Sequence, residues 1–120
     1  MSARIWLRRA YEAPGRSDGT RVLVDRIWPR GVSRDDAHID HWYRQLAPSD
    51  ELRKWFGHET DRWEQFRRRY REELRCAGEQ LAELVELARA GRVTLVFAAR
   101  DTEHNNAVVL RELLEERLGA

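Results

Sequence analysis

A chain of 120 residues has the length of one domain, and folding buries enough surface for a core that needs neither disulfides nor metal. Its 22 basic and 21 acidic residues give a net charge of +1, which argues against a dedicated nucleic-acid or membrane-surface protein. The single cysteine excludes an intramolecular disulfide, and no apolar run approaches the ~18 residues of a membrane span. The N-terminal segment lacks the apolar core of a signal peptide, so we expect a cytoplasmic protein.

The first third of the chain predicts two strands joined by a loop. A short strand is expected at residues 5–7, and proline and glycine predict a loop at 13–20. Residues 21–27 predict a second strand, whose unbroken Val-Leu-Val run is typical of a strand covered on both faces. Trp28 precedes Pro29, which disfavours helical geometry, and we expect a turn there.

In the next segment, the sequence does not decide between a helix and a strand for one element. Residues 33–38 predict a short helix capped by Ser33. Residues 39–46 fit an apolar helix stripe, yet the string from His41 onward also fits a strand. After Pro48, Ser49 is a good N-cap for a helix that Gly57 ends.

The remainder predicts three helices and one strand. Thr60 is expected to cap a helix reaching about residue 75, with apolar residues spaced by three, four and four. A helix at 79–90 is bounded by glycines, and 93–99 predicts a strand. Asp101 or Thr102 is expected to cap a last helix ending near residue 118.

Strands alternating with helices predict an α/β fold: a small, mostly parallel sheet of three to four strands flanked by helices, in a single domain over residues 1–120. Ligands of such sheets bind beyond the carboxyl ends of the strands. Four residues stand at the ends of the strands expected at 21–27 and 93–99, namely Asp25, Arg26, Arg100 and Asp101.

The first strand end predicts an anion pocket. Arg26 and Arg30 carry guanidinium groups that suit a carboxylate or a phosphate, and Asp25 would orient them or act as a base. Trp28 and Trp55 would wall the cleft. The alternative is a structural Asp–Arg pair that holds a turn.

The second strand end supplies Arg100, Asp101, His104 and Asn105 at a strand-to-helix turn, where backbone N–H groups favour anions. His104 is a candidate acid or base near neutral pH. The alternatives are ordinary capping by Asp101 and Asn105, or one buried ion network of the aspartates and arginines at both strand ends that only stabilises the sheet.

Other candidates are weaker. Arg53 and His58 are expected at the rim of the cleft, beside aromatic residues that are expected in the core. The string H-x-D-H at 38–41 would suit a metal only on a helix and lacks a third ligand, so no metal is predicted. Cys76 is expected to be a buried small residue. No glycine-rich nucleotide motif or nucleophile elbow is present, and no cofactor is predicted.

Three motifs resemble the YeaO-like family of bacterial domains of unknown function: RVLVDRIWPRG (21–31), LAPSDELRKWFGH (46–58) and AARDTEHNNAVVL (98–110). The resemblance covers residues 4–117 and implies a small α/β domain with no established activity, substrate or cofactor. The broader family includes members with a Cys-His-Arg string after the last strand, where this chain reads His104, Asn105, Asn106 and Ala107. That departure weakens an interpretation based on thiol chemistry. The resemblance also favours a strand near residues 41–46.

The sequence therefore predicts a cleft that binds, or acts on, a small phosphate- or carboxylate-bearing molecule. The alternative is a nucleic-acid or protein-interaction module that uses the arginine-rich helix 61–75. Its interleaved glutamates favour a solvated, ion-paired face instead. Five tryptophans are compatible with an exposed aromatic patch and a homodimer.

Overall fold

The computed structural model describes residues 5–119, which fold around one four-stranded sheet. The strands are β1 (Ile5–Arg9), β2 (Thr20–Leu23), β3 (His41–Trp42) and β4 (Val93–Phe97). The helices are α1 (Arg34–Ala37), α2 (Asp50–Phe56), α3 (Trp63–Arg75), α4 (Gly78–Ala90) and α5 (Asn106–Gly119). Short 3-10 turns cover Arg44–Leu46 and Thr60–Arg62.

The sheet has the order β1-β4-β2-β3, and every pairing is parallel. At its centre, Leu95 pairs with Leu7 on one side and with Val22 on the other. The predicted α/β class and small parallel sheet are confirmed. Because all strands run in one direction, their carboxyl ends meet at a single edge of the sheet.

The two faces of the sheet are covered differently. Val22, Leu95 and Phe97 belong to the main core, which also contains the apolar residues of α2, α3, α4 and α5. The opposite face buries Leu23 and Val96 in a small second cluster, against which Trp28, Ile39 and Trp42 pack. Both faces of β2 and β4 are therefore covered, as the unbroken apolar runs predict.

The predicted strand at 21–27 is too long. β2 ends at Leu23, although the N–H of Val24 still donates to the carbonyl of Val96 at 3.1 Å. The chain then leaves the sheet, and Ile27 is 62% exposed instead of lying in a strand. The predicted β4 is likewise two residues too long and ends at Phe97.

The open segment 39–46 is not a helix. His41–Trp42 form an edge strand beside β2, and a 3-10 turn follows at Arg44–Leu46. The expected strand is therefore present but only two residues long. Ser33 and Ser49 cap α1 and α2 as predicted, because their hydroxyls accept from the N–H groups of Asp36 and Leu52.

Three other boundaries were predicted wrongly. Thr60 begins a 3-10 turn and does not cap α3, which starts at Trp63. Gly78 begins α4 instead of only separating two helices. The last helix starts at Asn106, several residues after the predicted caps. Cys76 is exposed, so its prediction as a buried residue is also wrong.

Candidate functional site

A cavity of about 350 Å³ lies at the carboxyl edge of the sheet. Residues that follow β1, β2 and β4 line it, together with residues of α2, α3 and the start of α5. Its size is at the small end of ligand pockets in proteins, so it suits a small molecule. The polar and charged lining residues are Asp25, Arg26, Arg30, Arg53, His58, His104, Asn105 and Asn106.

Asp25 is fixed by bonds to three elements. The N–H of Ala98, just after β4, donates to Asp25 Oδ2 at 2.9 Å. The amide of Asn106, at the start of α5, donates to Asp25 Oδ1 at 3.1 Å and to the carbonyl of Val24 at 2.9 Å. From β3, Trp42 Nε1 donates to the Asp25 carbonyl at 2.7 Å. These bonds hold the carboxyl group in the wall of the cavity.

Burial raises the pKa of Asp25, because it removes water from the charged form. The hydrogen bonds from Asn106 and Ala98 and the charge of Arg53 act in the opposite direction but do not cancel the effect of burial. Asp25 is the one carboxylate among the lining residues of the described chain. The cavity therefore carries little negative charge.

The cationic wall comes from two segments. Arg53 of α2 donates to Asp50 Oδ1 at 3.0 Å, and Arg26 Nε lies 3.7 Å from the same oxygen. One exposed carboxylate thus faces two guanidinium groups. Within residues 5–119, Arg30 has no ion pair and no hydrogen bond from its exposed side chain.

Aromatic rings form the apolar part of the cavity. Phe56 and Phe66 stack with their ring centroids 4.4 Å apart and reach the cavity from the main core. On the other side, Trp28 is oriented by a 2.6 Å hydrogen bond from Nε1 to the carbonyl of Val32. Tyr11 and Ile27, exposed by 50% and 62%, also line the cavity. Exposed apolar side chains at a concave surface are typical of binding sites.

The turn before α5 presents a histidine. Asp101 Oδ1 accepts from the N–H groups of Glu103 and His104 at 2.9 and 3.1 Å, and Asp101 Oδ2 lies 2.9 Å from His104 Nδ1. These hydrogen bonds hold the pKa of Asp101 below its ordinary value, and the bond from the N–H of Glu103 has the largest effect. Trp63 packs edge-on against the His104 ring, with centroids 5.2 Å apart. Because Nδ1 of His104 faces Asp101, Nε2 is the ring nitrogen of His104 that is available to bind a ligand.

Asn105 lines the same cavity but serves the fold. It is 3% exposed, its Nδ2 donates to the Asp101 carbonyl at 2.9 Å, and its Oδ1 accepts from the N–H of Val108 at 3.1 Å. Asn105 is therefore the cap of α5, and Asp101 caps only its own turn. This agrees with the alternative of ordinary capping at these two residues.

A second, more open cavity adjoins the first. It is lined by Arg9, Tyr11, Arg30, Ala98 and Arg100, of which Tyr11, Arg30 and Ala98 also line the first cavity. We call the first the main cavity and the second the arginine cavity. Together they form one continuous cleft along the carboxyl ends of β1, β2 and β4.

Eight of the eleven predicted site residues line the main cavity. Arg100 lines the arginine cavity instead. Asp101 lines neither cavity, and its carboxylate contacts the ring of His104. Trp55 lines neither cavity: it is partly buried against the main core, with Arg69 4.8 Å above its ring. The predicted buried ion network of both strand ends is wrong, because Arg100 is exposed and none of the described ion pairs involves Asp25.

The prediction missed several cavity residues. Phe56 and Phe66 were assigned only to the core, since their spacing is that of any buried helix face. Tyr11 follows the short first strand and carried no motif. Asn106 lies in the same strand-to-helix stretch as His104, but the last helix was predicted to begin before it, so no sequence signal distinguished its side chain.

The arginine-rich helix is ion-paired within the fold. From α3, Arg67 and Arg71 reach Glu112 and Glu116 of α5 at 2.6 and 2.7 Å. Within residues 5–119, no group of three or more His, Cys, Asp or Glu side chains is arranged to hold a metal ion. Over the same residues, no helix is both long and apolar enough to span a membrane.

Comparisons with known proteins identify relatives along nearly the whole chain. An uncharacterised protein of Mycobacterium tuberculosis, Rv3073c, is 44% identical over 114 residues, covering 95% of this chain and 96% of the relative. The uncharacterised protein YeaO of Escherichia coli is 38% identical over 110 residues, covering 92% and 96%. No solved structure gives a significant match. Residues 4–120 match the model of the inactive DUF488-N3 subclade, so the chain belongs to this family and its resemblance to the YeaO-like proteins is confirmed.

Proposed function

We propose that this protein is a binding domain for a small organic anion, which it holds in the main cavity. The observation that carries the proposal is the composition of the lining: three arginines and two histidines surround an aromatic floor, with one carboxylate among them. Guanidinium groups bind carboxylates and phosphates through paired hydrogen bonds, and the aromatic floor accepts an apolar body. The part of the ligand that lies in this cavity therefore combines an anionic group with a small apolar or planar body.

Binding without turnover is the favoured form of this function. The matching family is described as inactive. No serine, threonine or cysteine is among the described residues that line the main cavity, so an acyl- or phosphoryl-accepting side chain of these types is not available there. We assign Asp25 and His104, which the sequence offered as proton carriers, to ligand contacts. Both are held by neighbouring groups, which favours fixed geometry in the cavity.

The ion pairs of α3 give no support to a nucleic-acid module, since Arg67 and Arg71 already face glutamates. A homodimer stays a prediction from the tryptophan content. The proposal of an anion site depends on Arg26 and Arg53, which share a single exposed carboxylate and can turn toward a ligand at small cost.

A probe series tests the proposal. Benzoate has the charge and the ring, benzamide keeps the ring without the charge, and acetate keeps the charge without the ring. Benzoate is expected to bind more tightly than either and to raise the melting temperature, since a ligand at a hundred times its Kd adds about 2.7 kcal/mol of stability. Isothermal titration calorimetry measures the three affinities directly.

Arg26→Gln should abolish the preference for benzoate over benzamide, because it removes one guanidinium of the wall. Arg16→Gln is the matched control, since Arg16 is exposed and lines neither cavity. Equal binding of benzoate and benzamide by the unmodified protein would refute an anion site. Equal binding of benzoate and acetate would refute the role of the aromatic floor.

A further inference from the structure

We propose that the arginine cavity is a phosphate subsite, so that the ligand of this protein is a phosphomonoester. This inference rests on the proposed function: the organic body, with the anionic group that Arg26 and Arg53 bind, occupies the main cavity, and a phosphate group of the same ligand occupies the adjoining arginine cavity. The observation behind it is that three of the five residues lining the arginine cavity are arginines and none is acidic.

The positive charge of this cavity is not compensated locally. Arg30 and Arg100 are exposed, and within residues 5–119 neither has an ion pair. The nearest carboxylates in sequence are engaged elsewhere. Glu12 accepts from the backbone N–H of Arg9 at 2.8 Å, and Asp101 accepts from its own turn and faces His104.

Arg9 gives the cavity a fixed cationic wall. Its Nε donates to the carbonyl of Ala99 at 2.9 Å, and one terminal nitrogen donates to the carbonyl of Ala98 at 3.3 Å. Its guanidinium also lies 5.2 Å from the centroid of the Tyr11 ring. The same guanidinium keeps a second terminal nitrogen whose N–H groups are not used by these bonds. A preorganised donor of this kind binds an anion with less loss of side-chain freedom.

The number of guanidinium groups selects phosphate over carboxylate. One arginine fork satisfies the two oxygens of a carboxylate, whereas three forks exceed what a single negative charge can use. A phosphomonoester offers three terminal oxygens and about −1.5 to −2 charges near pH 7. Three arginines at one concave surface, without a carboxylate, match that larger charge.

The shared wall connects the two groups of one ligand. Tyr11, Arg30 and Ala98 line both cavities, so the passage between them is a common surface. A phosphate bound by Arg100 and Arg9 can therefore continue, past Arg30, into an organic body that lies against the phenylalanine floor of the main cavity.

Calorimetric titrations with inorganic phosphate, phenyl phosphate and benzoate test the subsite. In low-salt buffer, phenyl phosphate is expected to bind at least tenfold more tightly than either of the other probes. Arg100→Gln should weaken phosphate and phenyl phosphate at least tenfold and leave benzoate unchanged. Arg30→Gln is a second variant that should weaken both phosphates, and Arg16→Gln should alter none of the three. Melting temperatures close to that of the unmodified protein establish that the variants are folded.

The outcomes separate this inference from the proposed function. If Arg100→Gln and Arg30→Gln both bind the two phosphates normally, the subsite is refuted, whatever benzoate does. If inorganic phosphate binds through Arg100 but phenyl phosphate gains nothing over it and benzoate fails to bind, the subsite stands and the organic ligand is refuted. An unphosphorylated single-stranded decanucleotide that binds as tightly as phenyl phosphate would assign the arginines to a phosphodiester backbone and overturn the phosphomonoester proposal.

Discussion

Replacing Asp18 with asparagine removes one charge of an ion pair that is buried at the amino-terminal end of β2. Asp18 and Arg21 are 1% and 3% exposed, and their closest charged atoms are 2.5 Å apart. Asp18 also accepts from the N–H of Gly15 at 3.0 Å, and Arg8 lies 3.2 Å from its other oxygen. Asparagine keeps the shape of the side chain but leaves the Arg21 guanidinium buried without its counter-ion. Breaking a buried pair in this way costs about 3–5 kcal/mol.

We expect the lower end of that range, about 3 kcal/mol, because Arg21 keeps a 3.0 Å hydrogen bond from Nε to the carbonyl of Ala37. The free energy of unfolding of a small domain is only about 5–15 kcal/mol, so this loss is a large part of the total stability. For a chain of this size it corresponds to a melting temperature lower by about 10 °C. Urea unfolding followed by tryptophan fluorescence at pH 7 measures the difference. Asp61→Asn, at an exposed carboxylate, is the control and should change stability by less than about 0.5 kcal/mol.

The stability difference between the unmodified protein and Asp18→Asn should decrease at low pH and should not decrease at high pH. Burial alone would raise the pKa of Asp18, but the hydrogen bonds from Gly15 and Arg21, together with the charges of Arg8 and Arg21, outweigh burial and hold the pKa below its ordinary value. The pair therefore contributes fully above the unfolded pKa of about 3.9, and its contribution is lost as pH falls through the lower folded value. The difference between the unmodified protein and Asp18→Asn should be constant from pH 8 to 5 and shrink below about pH 4. A difference below about 1 kcal/mol at pH 7, or one that persists unchanged to the acid limit, would refute this account of the pair.

Two further predictions follow from the same geometry. Burial raises the pKa of Asp25, so the folded protein holds this proton more tightly than the unfolded chain and loses stability as pH rises from the unfolded value of about 3.9 through the folded one. Urea melts of Asp25→Asn between pH 4 and 7 should show a variant that gains stability relative to the unmodified protein as pH rises, and a relative loss would contradict the assignment. Gly19 has φ +67°, and an added Cβ would lie 2.3 Å from the Arg92 carbonyl oxygen, so Gly19→Ala should destabilise by at least about 2 kcal/mol. Gly91 has an extended φ of 172° and open space around it, so Gly91→Ala is the matched control and should be nearly neutral in the same thermal melts.

The elements that were predicted correctly are those whose signal is local. The apolar spacing along α3 marks a helix because Phe66, Tyr70 and Leu74 must all face one core. The length of β2 could not be obtained this way. Val24 still bonds to β4, but the chain turns at Asp25 because groups from β4, α5 and β3 bind it there. Those partners lie far away in sequence, so the apolar run alone extends the strand too far.

The start of α5 was predicted wrongly for the opposite reason, a competition between neighbouring polar residues. Asp101 and Asn105 are both good caps, and the carboxylate of Asp101 closes its own turn first. The helix then begins at Asn106, under the side chain of Asn105. A sequence pattern identifies both residues as possible caps but cannot tell which one begins the helix, because that depends on the path of the chain after β4.

The position of the candidate site followed from topology, whereas its composition did not. Parallel strands bring their carboxyl ends together, and this alone locates Asp25, Arg30 and Arg100 near one cleft. The floor formed by Phe56 and Phe66 was hidden, since a ring that lines a cavity and a ring that fills a core have the same periodicity in sequence. The division of the cleft into two cavities depends on side-chain packing and has no counterpart in the sequence pattern.

The two carboxylates that flank β2, Asp18 and Asp25, lie in opposite electrostatic environments. Asp18 enters the strand with three basic or N–H partners around it, and its pKa is lowered. Asp25 leaves the strand with two uncharged donors, and its pKa is raised although arginines line the same cavity. A sheet edge selected only for stability would pair those arginines with acids, as Asp18 is paired with Arg21. At the carboxyl edge Arg30 and Arg100 have no counter-ion in the described chain, and the anion that we propose as the ligand would supply one.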